Sequence, residues 1–251
     1  MNTGTLYITA TPIGNLKDIT YRAIETLQEV DLIVCEDTRT SKKLLDHYEI
    51  KTPTISFYQN IRKGGATKPV PKLDLIITEL KNGKNVALIT DAGTPGISDP
   101  GNQLVASAVE NEIVVVPIPG ASALTTLASV AGIDLTEFVF LGFPPHKKGR
   151  ETFFKKVVDF EMPVIYFESP HRVIKNLELL SVIASEAKQS QSDKNEIATS
   201  SSTPRNDKRV ILGRELTKMF EEIVRGSSQE VLEYFQNNQD KVRGEFAVIV
   251  Y

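Results

Sequence analysis

The chain has 251 residues and 41% apolar content, enough for one large or two modest domains with a sizeable buried core. Its net charge of −3 argues against a protein that wraps nucleic acid over its whole surface, because phosphate binding needs clustered Lys and Arg. No stretch approaches the roughly 18 uninterrupted apolar residues of a membrane span, and Met1-Asn2-Thr3-Gly4-Thr5 lacks the basic start and apolar run of a signal peptide, so a cytoplasmic protein is expected.

In chain order, apolar runs of strand length alternate with stretches of helical periodicity, the pattern of an α/β protein. A strand over 6–10 leads into Thr11-Pro12-Ile13-Gly14-Asn15, which matches neither a Walker P-loop nor a full G-x-G-x-x-G fingerprint. Ala23, Ile24, Leu27 and Val30 mark one helical face, and a second strand covers 32–35. Cys35, the only cysteine, sits inside that run as a small buried thiol, which excludes a disulfide framework. His47, His146 and His171 are too scattered to suggest a zinc site, so no metal is expected. A third strand covers 54–57, followed by a loose basic group of Arg62, Lys63, Lys68 and Lys72. Leu73, Ile76, Ile77 and Leu80 mark a second helix, closed by Asn82 and Gly83.

The strand over 86–90 runs into a loop with three glycines, two prolines and two aspartates, Asp91-Ala92-Gly93-Thr94-Pro95-Gly96-Ile97-Ser98-Asp99-Pro100-Gly101. Gly93, Gly96 and Gly101 let the backbone take positive φ or approach a ligand closely, while Pro95 and Pro100 stiffen it. The blander alternative is a strand-to-helix turn with Asp99 as N-cap ahead of Leu104. With a further strand over 113–116, the βαβ order implies a largely parallel sheet. Its ligand would lie beyond the carboxyl ends of the strands, where the loops at 11–15, 36–39 and 91–101 all fall.

A boundary near Pro119 divides the chain into domains at 1–118 and 119–251. Pro119-Gly120-Ala121-Ser122-Ala123 opens a helix over 121–131 rich in small residues; its N–H groups can cradle a carboxylate or an adenosine edge, or it can simply pack closely on a sheet. Later strands cover 138–141, 164–167, 210–212 and 246–250. The densest basic patch is His146-Lys147-Lys148-Gly149-Arg150, with Lys155 and Lys156 beyond it. A helix ending near Ala184 precedes a polar, nearly apolar-free stretch at 185–208, expected to be a disordered insertion.

Six ordered motifs carry a family resemblance: 11–15, Glu36-Asp37-Thr38-Arg39, 91–101, Glu168-Ser169-Pro170-His171-Arg172, Arg214-Glu215-Leu216-Thr217-Lys218 and Gly244-Glu245-Phe246. Together they resemble the tetrapyrrole methylase superfamily over nearly the whole chain except 185–208. That resemblance implies a two-domain α/β fold with S-adenosylmethionine held in a cleft between the domains, and usually a homodimer. The branch it points to methylates the ribose 2′-hydroxyl of a cytidine in the decoding region of small-subunit ribosomal RNA. Carried over by motif, Pro12, Gly14, Asp91, Gly93, Gly96, Ile97, Ser122, Ala123, Tyr166, Phe246 and Ala247 would bind the cofactor.

The chain departs from the family pattern at Ala121, where a proline is usual, and over 57–63, which keeps Asn60 but has no histidine. A ribose hydroxyl attacks poorly until its proton leaves, so a base is useful, and Glu36 and Asp37 are the candidates. An N-cap and an Asp37–Arg39 pair for a helix beginning near Ser41 is the competing reading. Arg39, Lys147, Lys148, Arg150, Arg214 and Lys218 are the candidate RNA contacts. A methylase of a tetrapyrrole or another small molecule would share the same cofactor loops and is the alternative.

Overall fold

The structure, a computed structural model, describes residues 3–57, 72–97, 101–192 and 208–251. The chain forms two units, Met1–Ser122 and Ala123–Tyr251. Among the described residues, no helix is long and apolar enough to cross a membrane.

In the first unit, β1 (Thr5–Thr9), β2 (Leu32–Cys35), β3 (Thr54–Ser56), β4 (Val86–Ile89) and β5 (Val114–Ile118) form a sheet of order β3-β2-β4-β1-β5. Every pairing in it is parallel, as the βαβ pattern requires. Central β4 is buried along its whole length, which explains a run without polar residues. Between the strands lie α1 (Tyr21–Glu29), α2 (Thr38–His47), α3 (Leu73–Lys81) and α4 (Asn102–Glu110). Leu27 of α1 and Leu45 of α2 pack with Ile33, Cys35 and Ile89 on one sheet face. Ile76 and Leu80 of α3 and Leu104 and Ala108 of α4 pack with Leu6, Val34 and Leu88 on the other.

Thr20 caps α1, its hydroxyl accepting from Ala23 N–H. Strand β5 runs past the expected end at 116 and contains Pro117. As an edge strand it can point the proline nitrogen away from the ladder. The expected N-cap Asp99 and the basic residues 62, 63 and 68 lie outside the described residues, as does 58–63 of the departing segment.

The second unit contains α5 (Ala123–Ser129), β6 (Val139–Phe140), α6 (Arg150–Asp159), β7 (Val164–Glu168), α7 (Val173–Ser192), β8 (Arg209–Arg214), β9 (Glu222–Ser227), α8 (Ser228–Asn237) and β10 (Phe246–Val250). Its sheet order is β6-β7-β10-β8-β9, with β6 parallel to β7 and the other neighbours antiparallel. Phe154 of α6, Leu177 and Leu180 of α7 and Phe235 of α8 bury Val164, Leu212 and Val248 beneath them. At Gly213, an added Cβ would stand 2.8 Å from Leu127 Cδ1 of α5 and 2.9 Å from Leu216 Cδ2, so any side chain there would have to displace both leucines.

Other elements differ from expectation too: α5 is shorter than the expected 121–131, and α2 starts at Thr38, capped by Asp37, rather than near Ser41. Helix α7 runs to Ser192 instead of ending near Ala184: its core-facing residues reach Ile183, and Ser185 Oγ donates back to Ser181 O at 2.8 Å; residues 193–207 lie outside those described. Strand β9 was not foreseen, since Glu222-Ile223-Val224-Arg225-Gly226-Ser227 breaks strict alternation and pairs with β8 alone.

Candidate functional site

The loops after β1, β2, β4 and β5 meet at one edge of the first sheet. Strand β4 lies between β1 and β2, whose helices α1 and α2 leave to one face, whereas α4 leaves β4 to the other. Such divergence of neighbouring connections opens a crevice in parallel α/β sheets.

Hydrogen bonds fix its floor. Thr11 and Gly93 exchange N–H···O bonds of 3.0 and 3.1 Å, and Thr11 Oγ1 donates to Thr90 O at 3.1 Å. Asp37 N–H donates to Asp91 Oδ1 at 3.3 Å, and Thr94 Oγ1 donates to Ala121 O at 3.0 Å. At Gly93, φ is +84° and an added Cβ would lie 3.1 Å from Ile13 Cγ2 and 3.5 Å from Ala121 O, so only glycine fits without strain. Pro12 and Gly93 are buried in this floor, Gly14, Asp91 and Ile97 are exposed along it, and Gly96 and Ser122 are half-buried. Asn102 Nδ2 holds Gly96 O at 3.2 Å. Ala123 follows Ser122 as the first residue of α5. Sequence reasoning passed over the stapling residues Thr11, Thr90 and Thr94; the available signal was a hydroxyl residue just past a strand end.

The carboxylates here have opposite electrostatics. Asp37 caps α2 by accepting from Arg39 N–H at 2.8 Å, and the Arg39 guanidinium grips it at 3.1 and 2.6 Å. That grip holds the Asp37 pKa down at about 2. Solvent still reaches Asp91, but partial burial raises its pKa, the Asp37 N–H opposes this, and the Asp37 charge adds to it. Burial likewise pushes the Cys35 thiol up, which suits an inert packed residue. Glu36 is half-buried at the end of β2.

Arg39→Ala should raise the Asp37 pKa from about 2 towards 3.8, stopping short because backbone N–H donors remain. Stability from ionised Asp37 is present above the unfolded-state value and is lost as pH falls through the folded one. The variant should therefore hold less of this stability and lose the last of it at a higher pH, set by its raised folded-state value, which a carboxyl-carbon NMR titration reads directly.

Several expected contacts of the second unit prove to be internal. Tyr166 is 1% exposed, pairs with Val248 of β10 and is edge-on to Phe153 and Phe154 at 5.7 and 5.9 Å, so its ring is part of this unit's core. Burial pushes its phenol pKa up, with Glu168 adding to the shift. Phe246 packs on Phe235 at 5.8 Å inside the same core, and Ala247 is buried on the opposite sheet face.

Arg214, an expected RNA contact, is engaged within its own unit. It is 4% exposed, with Nε donating to Lys241 O and Nη1 to Phe220 O, both at 2.6 Å. Lys218 Nζ is tied to Glu215 at 2.9 Å and Glu245 at 3.0 Å. The motifs at 214–218 and 244–246 therefore form one strut: Glu215 Oε1 also accepts from Glu245 N–H at 2.9 Å. Gly244 has φ +87°, and a Cβ there would run into the Glu215 carboxylate. Gly244→Ala should cost about 2 kcal/mol through left-handed strain and displacement of Glu215, seen as a lower urea midpoint with unchanged slope.

Glu168, 3% exposed, accepts from Ser169 N–H at 2.7 Å and from Asn176 Nδ2, and pairs with Arg172 at 3.6 Å. Arg172 in turn donates to Pro144 O at 2.8 Å and anchors the loop carrying Lys147 and Lys148. Both lysines are exposed and Arg150 is half-buried. No ion pair engages any of these three among the described residues.

The family model for Tetrapyrrole (Corrin/Porphyrin) Methylases matches residues 5–232. The chain is 40% identical over 248 residues to ribosomal RNA small subunit methyltransferase I of Synechocystis, covering 98% of this chain and 78% of that protein. It is 38% identical over 248 residues to the protein of the same name from Bacillus subtilis, covering 98% and 75%. Among solved structures, a cobalt precorrin-4 methyltransferase matches with a TM-score of 0.61 at 15% identity, covering 98% of this chain and 94% of that one. A uroporphyrin-III-C-methyltransferase from Thermus thermophilus matches with a TM-score of 0.60 at 12% identity and the same coverages, 98% and 94%. These structural likenesses carry the fold.

Proposed function

This chain belongs to the tetrapyrrole (corrin/porphyrin) methylase family, and from that premise we propose that it is an S-adenosylmethionine-dependent methyltransferase of small-subunit ribosomal RNA, acting on a cytidine ribose 2′-hydroxyl. The single observation that supports a cofactor role for the first unit is the stapled floor at the β4 switch point, with the exposed Asp91 carboxylate on it. The residue set fits the cofactor: its ammonium and sulfonium cations suit the exposed Asp91 carboxylate, and Pro12, Gly14, Gly93, Gly96, Ile97, Ser122 and Ala123, apolar or small, would line its backbone and adenosine. Bound there, the cofactor supplies a methyl group on a sulfonium, open to in-line attack.

The chain's own task is then to orient the ribose oxygen and accept its proton. Asp37 is a poor acceptor, since it is already the α2 cap and Arg39 holds its pKa at about 2, so the proposed base is Glu36. Lys147, Lys148 and Arg150 form the proposed RNA-steering loop, which favours this reading over a small-molecule methylase. Incubation with methyl-labelled cofactor and either bare small-subunit RNA or intact subunits tests it. Label on one ribose supports the reading, and cofactor binding without RNA labelling defeats it.

The double variant Lys147→Ala/Lys148→Ala should weaken RNA binding across sequences and reduce the salt slope by roughly 1–2, measured by anisotropy at several ionic strengths. A homodimer would present this loop twice, and analytical ultracentrifugation determines whether one forms.

A further inference from the structure

One exposed aromatic ring shares the basic loop between β6 and α6. Phe143 is 50% exposed, although Pro144 beside it is buried. The backbone around it is pinned on both sides: Phe167 N–H donates to Gly142 O at 2.9 Å, and Arg172 Nη1 donates to Pro144 O at 2.8 Å. Gly142 and Gly149 take φ of +65° and +88°, which sets the turns at either end. The ring rests on Phe167 with centroids 5.5 Å apart, and Phe167 rests on Phe140 at 5.1 Å. Phe143 is thus a braced platform rather than a side chain on a loose loop, and Lys147 and Lys148 stand exposed a few residues away.

An exposed aromatic ring in the same loop as exposed lysines that no ion pair engages among the described residues suits one polymer above others. Unpaired RNA offers base faces for stacking and a phosphate chain for the lysines, whereas a paired helix hides its bases. A protein partner would call for a broader apolar patch than one ring flanked by charge. We propose that Phe143 is a stacking platform for an unpaired RNA base, so that the loop selects single-stranded over duplex RNA. This rests on the RNA reading above and adds a strand preference to it.

The test uses the full chain and two fluorescein-labelled RNAs of equal length, one an unstructured single strand and one a blunt duplex, read by anisotropy. Phe143→Leu should weaken single-strand binding by about tenfold, within the range for loss of one aromatic–base stack. Duplex binding and the salt slope should stay unchanged, and Phe143→Trp should restore single-strand affinity. Because the ring is half exposed, melting temperature and S-adenosylmethionine affinity should match the wild type in both variants. Equal affinity of Phe143→Leu and wild type for the single strand overturns the inference, as does an equal loss on both RNAs. If the wild type binds S-adenosylmethionine but neither RNA, the RNA reading itself falls, a result distinct from failure of the platform alone.

Discussion

Asp91→Asn is expected to weaken S-adenosylmethionine binding by about 10- to 100-fold, the range for losing one charged hydrogen-bond partner. The change keeps the shape and the acceptor oxygen facing Asp37 N–H, so the loss isolates the charge. Gly93→Val should go further and abolish measurable binding. It forces a branched side chain into a backbone of φ +84°, against Ile13 Cγ2 at 3.1 Å and Ala121 O at 3.5 Å, and strains the Thr11–Gly93 bridge. Isothermal titration calorimetry reads both variants; unchanged affinity in the two together would displace the cofactor site from this edge.

The pH dependence should share that origin. A cation is held best by ionised Asp91, whose pKa is raised chiefly by partial burial. Affinity should rise as pH climbs through that raised value and level off above it. Asp37, held at about 2 by Arg39, stays ionised throughout and contributes no such change. In Asp91→Asn the acid-side fall in affinity should therefore flatten.

How far the sequence alone reaches depends on the range of the forces involved. Strand β10 was legible end to end because Phe246 to Val250 is an uninterrupted apolar run, buried along its whole length. The parallel first sheet was legible for the same reason, since its strands and helices differ in period. The roles of charges were not legible in this way. Arg214 closes β8 and Lys218 follows it, a place that also suits RNA contacts, but their partners are Lys241 O and Glu245, whose approach only the folded chain establishes. Tyr166 lies in a motif-bearing segment, yet alternation along β7 sends its ring into the core beside Phe154. At Asp37 the sequence left capping and catalysis open, and the observed bonds from Arg39 account for its carboxylate as cap and ion pair.

The buried Glu168 group offers the largest stability effect in the second unit. Glu168→Leu leaves the Arg172 guanidinium, itself only 14% exposed, without its counter-charge, and deprives Ser169 N–H and Asn176 Nδ2 of an acceptor. Breaking a buried pair from one side costs about 3–5 kcal/mol, which corresponds to a fall of roughly 10–20 °C in the melting temperature of this unit. Glu168→Gln should cost less, since it retains one acceptor oxygen. The informative comparison is Glu168→Leu/Arg172→Met, which removes both charges and should recover part of the loss despite deleting more native contacts. Recovery in thermal melts would show that the uncompensated cation causes the damage. If the double variant is as unstable as the sum of the singles, the deciding factor is instead the Arg172 bond to Pro144 O, which braces the Phe143–Lys148 loop.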